Sequence, residues 1–562
     1  MLAIRCSLRL VLPLIFVAMC CGGAAEAAAP EAAVSAGGAA PRPVVLSDAD
    51  WKRVVRREVS SQRLDELLRA SSAKSAAKSA GTVNDETFLR RVSLDVAGSL
   101  PEAESLRAFV ADADPAKRGK KIDELLASEA YARHWARYWR DVVSARLTLR
   151  RTMGLTRSFE EWLFERFRAG DDWRTIVRAI LTAQGELRFA LNKPSPENGQ
   201  LFFLVAHDGP EAEERAAETS RVFLGIQIQC AQCHDHPTEN WKRTQFHDFA
   251  AYFARIKYEQ LFDKGKLSGV QLVTLKDAEH KMQDLKNPEV FSTVQPRFLD
   301  GRAPDTKLDD VRRREALADS VLSDENYWFA AAFVNRVWTE LMGSSFYPHI
   351  DDLGPMKPVA RPEVLLALVG SFQASGYDPR ALIRTIVNTE AYQRRLSAEP
   401  TAASGEVLAT TSKRLRPDAL WDALVHVFGK IEHGARFHTG SGVRFNSSFT
   451  EGKFRAEFDF DPSLDVDEVN GTIPQALFLM NNPVLNNHIK AERTTALGKL
   501  LREQKDDAAA VEQLYRLVLA RTPTERERKR CLDFAKTAAS REEAFEDLLW
   551  ALINSTEFQR TR

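Results

Sequence analysis

Three short segments of the chain have nearly the same sequence pattern, and this repeat constrains the fold more than any other feature. The segments are 125-LLASEAY-131, 386-IVNTEAYQRR-395 and 552-LINSTEF-558. In each segment, apolar residues lead to Ser128, Thr389 or Ser555, whose hydroxyl can cap the helix that follows. The aromatic residue three positions later would then pack into the core. A packing unit that recurs in this way indicates repeated helix–turn–helix units that together form a scaffold.

Helical periodicity extends through most of the chain from about Leu46. Between about 258 and 305 the period changes to an alternation interrupted by Pro and Gly, which indicates strands. We therefore predict a mainly α, multi-helical scaffold with repeated helix–turn–helix units and a small β insertion. Its predicted parts are a signal peptide at 1–27, a disordered spacer at 28–45, a first helical domain at 46–257, a short β-rich insertion at 258–308 and a second helical domain at 309–562.

The first residues have the pattern of a secretory signal peptide. Arg5 and Arg9 precede the apolar run 10-LVLPLIFVAM-19, and the small-residue stretch 22-GGAAEAAAP-30 follows. A buried N-terminal helix is the alternative, which these flanking residues disfavour. We expect the mature chain to begin near Ala28 and to be exported, whether to a periplasm, the cell surface or the extracellular space.

Membrane attachment and nucleic-acid binding find little support in the sequence. Cys20 and Cys21 raise the alternative of a lipid anchor, but Met19 and Cys20 are poor matches to the small residue that precedes a lipidated cysteine. No later stretch approaches the roughly 20 apolar residues of a transmembrane helix. Lys+Arg and Asp+Glu number 78 each, without a basic arm or stripe, so we expect no nucleic-acid partner.

The motif that carries chemistry is Cys-Ala-Gln-Cys-His at 230–234. Its spacing is that of a c-type haem site, in which Cys230 and Cys233 form thioethers and His234 ligates the iron. Phe223 and Ile226 continue a helical stripe with the two cysteines, so we expect one helix to lead into the site. Haem of this type is attached outside the cytoplasm, in agreement with export.

Other readings of the same residues remain open. The two cysteines could form a disulfide, or Cys230, Cys233, His234 and His236 could hold zinc, or the motif could be vestigial. Asp235 and His236 stand beside the motif, where His236 would form hydrogen bonds within the loop and support the site from outside. Three cysteines remain after the signal peptide, too few for a disulfide framework in a chain of this length.

A sixth iron ligand has no spacing rule to identify it. The candidates are Met153, Met282, Met342, Met356, His134, His207 and His247. We expect His134 to be a core or capping residue. His247 falls off the apolar stripe of its helix and is expected to be solvated.

Three further polar residues have simpler expected roles. Asp351 and Asp352 are expected to close a turn before Gly354. Arg336 is expected to be buried and paired with an acid from another helix. No G-x-S-x-G elbow, P-loop or H-E-x-x-H helix is present, and whether the chain is an enzyme stays undetermined.

Segments along nearly the whole mature chain resemble a known family. These are 84-NDETFLRRVSLDVAGSLP-101, 134-HWARYWRD-141, 221-RVFLGIQIQCAQCHDHP-237, 315-EALADSVLSDENYWFAAAFVNRVWTELMG-343, 373-QASGYDPRALIRTIVNTEAYQRR-395 and 546-EDLLWALINSTEF-558. They resemble the secreted planctomycete cytochrome-like proteins, which pair two domains of unknown function, the one-five-four-nine and one-five-five-three types. Many of those relatives carry an extra N-terminal cytochrome c domain, which we do not find here. The resemblance implies a cytochrome-like protein without an established reaction or substrate.

We therefore expect a secreted c-type-haem-like protein that acts in electron transfer or as a redox subunit and meets a redox partner protein. The first alternative is a haem-free extracellular interaction scaffold whose two motif cysteines form a disulfide. The second alternative is a metal-dependent enzyme that uses the Cys/His cluster.

Overall fold

The structure is a computed structural model that describes residues 44–71, 81–147, 153–189, 195–207, 212–395, 410–429, 447–466 and 468–561. The predicted signal peptide, Cys20 and Cys21, and residues 28–43 of the predicted spacer lie outside these residues. The last two residues of that spacer, Val44 and Val45, form a strand.

The described residues form 24 α-helices. Helices α1 to α8 are Asp48–Lys52, Ser61–Ser71, Asp85–Ala97, Ala103–Ala111, Lys117–Leu126, Glu129–Ser144, Met153–Ala169 and Trp173–Leu181. Helices α9 to α16 are Leu201–Ala206, Glu213–Thr219, Arg243–Ala250, Asp310–Val321, Tyr327–Met342, Pro362–Ala374, Pro379–Val387 and Glu390–Gln393. Helices α17 to α24 are Pro417–Phe428, Ser447–Phe458, Ile473–Asn481, Pro483–Ile489, Ala496–Glu503, Asp507–Leu519, Glu525–Thr537 and Arg541–Ile553.

Seven short strands complete the described elements. They are β1 Val44–Val45, β2 Glu186–Arg188, β3 Ile256–Asp263, β4 Lys266–Thr274, β5 His280–Gln283, β6 Phe291–Val294 and β7 Pro358–Val359. All pairings are antiparallel, with the orders β1-β7, β2-β4-β3 and β5-β6. The prediction of a mainly α fold with a small β component is confirmed.

The segments at Ser128 and Thr389 form the helix–turn–helix units that the sequence predicts, whereas the segment at Ser555 follows α24 with a turn. The hydroxyls of Ser128 and Thr389 each accept the backbone N–H of the residue three positions later, at 3.1 Å, and Ser555 does so at 3.2 Å. The aromatic residues of all three endings are buried. The helix caps predicted at Ser128 and Thr389 are confirmed, whereas Ser555 makes the same local bond ahead of a turn.

Helix α3 joins two of these endings through its arginines. Arg90 donates to the carbonyl of Glu557 at 2.8 Å, and Arg91 donates to the carbonyl of Arg394 at 2.8 Å. Both arginines are buried, so their guanidinium groups require such acceptors. Two of the three repeated endings are therefore hydrogen-bonded to the same helix, α3.

The core runs without a break through both halves of the chain. Trp139 and Trp173 have ring centroids 4.1 Å apart, and Phe333 of α13 stacks on Trp139 at 5.4 Å. Helix α13 is buried along almost its whole length and packs against α14 and α15. The described residues from Val44 onward accordingly form one compact unit. Among its described helices, none is long and apolar enough to span a bilayer.

Candidate functional site at the Cys-Ala-Gln-Cys-His turn

The chain reaches the motif through a helix that ends earlier than the sequence suggests. Helix α10 continues as a π-helical turn over Ser220–Leu224, which stops at Gly225 with φ 68°. The expected single helix into Cys230 is therefore wrong. Glycine adopts this left-handed conformation at little cost, and a Cβ at Gly225 would lie 3.0 Å from a methyl carbon of Leu353.

The motif itself begins in a 3₁₀ turn, Gln229–Gln232. Ala231 is fully buried in this turn, and its N–H donates to the carbonyl of Ile228 at 2.8 Å. Cys230, Cys233 and His234 are exposed on the other side. Both cysteines are free thiols, as is the buried Cys531. The turn thus presents two thiols and one imidazole to solvent from an apolar base.

The ring of His234 is held by the neighbouring backbone. Its Nδ1 lies 2.7 Å from the carbonyl oxygen of Asp235. Because a carbonyl can only accept, Nδ1 carries a proton, and in the neutral ring the lone pair is therefore on Nε2. Asp235 is anchored in turn: its carboxylate accepts the backbone N–H of Arg243 at 2.9 Å and the ammonium of Lys242 at 3.0 Å. These two donors lower the pKa of Asp235.

His236 orders the loop after the motif. Its Nδ1 accepts the backbone N–H groups of Thr238 at 3.3 Å and Glu239 at 3.0 Å. Burial lowers the pKa of His236, which favours the neutral ring that these bonds require. Within the described residues, the four candidate zinc ligands of the motif supply no three ligand atoms within 4.8 Å of one another.

Two side chains of α11 support the motif from below. Arg243 donates to the carbonyl of Gln232 at 3.2 Å and to that of Gln283 at 2.8 Å, so it ties the turn to β5. His247 donates from Nε2 to the same Gln232 carbonyl at 3.0 Å. The expectation of a solvated His247 is wrong, because β5 covers the side of α11 that its own sequence leaves polar.

The sixth-ligand candidates divide by burial. Met342 and His207 are buried in the core, and His134 packs against Gly98, with a pKa that burial lowers to about 3. The side chain of Met153 lies outside the described residues. Met356 is 52% exposed and donates its backbone N–H to Glu239 in the loop after the motif. Met282 is half-buried on β5, which Arg243 of α11 ties to the motif turn.

Arg336 is buried and ion-paired, as predicted, but its partner is not on a helix. The partner is Asp351, in the turn that follows α13. Asp351 is 1% exposed and also accepts from Arg221 at 2.8 Å. Asp351 lies in a turn, as expected, but it also belongs to a buried ion-pair network, whereas Asp352 is half-buried and bonds Lys357 at 2.7 Å. Asp351 therefore connects the π-helical turn before the motif to α13.

A cleft of about 810 Å³ lies beside the motif loop. Its aromatic lining includes Trp51, Trp241, Tyr327 and Trp328, with Trp51 stacked on Tyr327 at 4.5 Å. The carbonyl of Trp241 accepts the backbone N–H of His236 at 2.8 Å, so the cleft and the motif loop share a wall.

Two family models match the chain and together cover about three quarters of it. Residues 63–258 match PSCyt2, a protein of unknown function (DUF1549), and residues 313–535 match PSD1, a protein of unknown function (DUF1553). The chain belongs to this family of paired domains. The Cys-Ala-Gln-Cys-His motif lies in the first matched segment of this chain, and Asp351 lies in the second. Comparison with curated proteins and with solved structures found no match.

Proposed function

We propose that this paired-domain protein is an exported c-type haem protein that acts in electron transfer or as a redox subunit. Cys230 and Cys233 would form the thioethers, and Nε2 of His234 would ligate the iron. The observation that carries the proposal is the state of His234: its Nδ1–H is bound to the Asp235 carbonyl, which leaves Nε2 available. Haem and metal-ligating histidines depend on such an outer hydrogen bond to fix the tautomer.

The arrangement of the three groups fits a macrocycle better than a single ion. A zinc ion draws its ligand atoms together around a centre about 2.0–2.3 Å from each. A porphyrin is bound at two points on its edge and one at its centre, so its ligands stand apart. Cys230, Cys233 and His234 are exposed and do not converge, which supports haem over zinc at this motif.

The chain's own residues would hold the motif in place. The Asp235 carboxylate fixes the end of the turn to α11, and Arg243 and His247 both fix the carbonyl of Gln232 between the two cysteines. A bound haem would supply an iron that exchanges one electron. Because the motif lies on the surface, the edge of a bound haem would be accessible to a redox partner protein.

Met282 is the sixth-ligand candidate that the surroundings of the motif favour. On β5 it lies two residues from His280, whose ring contacts His247, so the alternation of a strand places Met282 on the face turned towards α11. Arg243 bonds the next residue of the strand, Gln283, and the motif turn at once. A methionine ligand would raise the potential relative to histidine.

An absorbance spectrum tests the proposal directly. The full chain is exported from a host that has haem-attachment machinery, and its spectrum is recorded before and after acid-acetone extraction. We expect a Soret band that survives extraction, and an N-terminus near Ala28 in the purified protein. Cys230→Ser/Cys233→Ser should abolish the band, whereas the matched control Cys531→Ser should retain it. A folded wild-type chain without the band would refute haem attachment.

The cleft favours a second candidate function, that of a haem-free interaction scaffold. Aromatic side chains in a concave site provide large contact areas for a ligand. A folded wild-type chain without a Soret band would support this function, because the aromatic cleft would then be present in a protein that carries no haem. A retained Soret band would exclude it.

A further inference from the structure

Three buried side chains converge behind the motif turn although they are far apart in sequence. They are Glu213 of α10, His247 of α11 and His280 of β5, which are 8%, 5% and 5% exposed. One ligand atom of each lies within 4.8 Å of the others, and no other group of this kind occurs in the described residues. We propose that they form a binding site for a first-row divalent cation, of the class to which Zn²⁺ and Fe²⁺ belong.

The distances suit a common ion. Nδ1 of His247 is 2.8 Å from Nε2 of His280, and Nε2 of His280 is 3.8 Å from Oε1 of Glu213. Two donors that share a tetrahedral zinc at the usual bond lengths lie about 3.3 Å apart, which falls between these two values. A change of about 0.5 Å in each of these two separations would therefore bring the pairs to the spacing of shared ligands.

The donor set also suits the ion class. Two imidazoles and one carboxylate form the protein ligands of many zinc and non-haem iron sites, and they leave positions for water. The carboxylate supplies one negative charge against the two charges of the cation. Burial strengthens this attraction, because little water screens it.

The outer contacts fix the orientation that coordination needs. Nε2–H of His247 donates to the carbonyl of Gln232 at 3.0 Å, so Nδ1 presents its lone pair to the site. Nε2–H of His280 donates to that Nδ1 at 2.8 Å, so cation binding would replace this hydrogen bond and shift the proton of the His280 ring to its Nδ1. The cation would join the β5–β6 hairpin to α10 and α11, directly below the Cys-Ala-Gln-Cys-His turn.

This site is distinct from the proposed haem site, and a zinc titration separates the two. The full chain is stripped with EDTA and titrated with Zn²⁺ against a chromogenic chelator. We expect one tightly bound Zn²⁺ per chain. His280→Ala should weaken its binding by more than about 100-fold, since even outer-sphere changes cost about 10–100-fold. The matched control His349→Ala, whose side chain is 61% exposed, should bind as wild type does.

The cysteine variant decides where the ion binds. Cys230→Ser/Cys233→Ser should keep the full Zn²⁺ affinity, and its loss would overturn the proposal, as would wild type that binds no Zn²⁺ or His280→Ala that binds it normally. Should His280→Ala fail to fold, the Co²⁺-loaded wild type still decides the question. Nitrogen and oxygen ligands give no thiolate-to-cobalt charge-transfer band, so the presence of that band would refute the site.

Discussion

Asp351→Asn tests the buried ion-pair network that joins the two matched segments. Asp351 is 1% exposed and forms ion pairs with Arg336 and Arg221. Arg221 also forms an ion pair with Glu218 at 2.6 Å. Removing the negative charge leaves two buried guanidinium groups around a neutral amide. Loss of one partner of a buried pair costs about 3–5 kcal/mol, so we expect the free energy of unfolding to fall by that amount.

Asp352→Asn is the matched control, because the adjacent acid makes a more exposed pair. Its side chain and that of Lys357 are 20% and 21% exposed, and they bond at 2.7 Å. Pairs near the surface contribute about 1 kcal/mol or less. Urea unfolding followed by circular dichroism measures both variants against wild type. A loss for Asp351→Asn no larger than that for Asp352→Asn would refute the role of the network.

The pH dependence of the same variant gives an independent check. Burial raises the pKa of Asp351, but Arg336 and Arg221 offset this effect, so its pKa lies below the usual value. A carboxylate with a lowered folded-state pKa contributes its full stability above the unfolded pKa of about 3.9. That contribution is lost as the pH falls through the folded-state pKa. The stability difference between wild type and Asp351→Asn should therefore be constant from about pH 7 to pH 5 and shrink below about pH 4; a difference that persists unchanged at pH 2 would contradict this reasoning.

Two further pairs of substitutions probe local geometry. Thr389→Ala removes the hydroxyl that caps α16 and should lower the free energy of unfolding by about 1 kcal/mol, with a similar loss for Ser555→Ala; thermal unfolding checks both, and no change in either would contradict the capping role. Gly225→Ala combines a left-handed φ of 68° with a Cβ 3.0 Å from Leu353, whereas Gly265→Ala has a φ of 76° but no atom within 4 Å of its Cβ. Both should cost about 1–2 kcal/mol for the backbone, and Gly225→Ala should cost more because of the contact; equal losses would show that the contact contributes nothing.

Features that depend on neighbouring residues could be predicted from the sequence. The helix caps at Ser128 and Thr389, and the same bond at Ser555, follow from a hydroxyl three residues before its donor, and the mainly α fold follows from short-range periodicity. The Cys-Ala-Gln-Cys-His spacing and the family resemblance could be read in the same way. Even so, the sequence did not show that the helix before the motif ends at Gly225. In the structure this residue has a left-handed φ and packs against Leu353.

Features that depend on what packs against a residue were decided by the tertiary structure. His247 is polar by the periodicity of its own helix, but β5 buries it and brings His280 to its ring, 33 positions away in sequence. The sequence around Asp351 predicts a turn, but only the tertiary structure shows that Arg221 and Arg336 form buried ion pairs with it. Periodicity reports which face of a helix is apolar. It does not report which element will cover the polar face. That element can come from a distant part of the sequence, as β5 does here, and such a contact leaves no pattern among neighbouring residues.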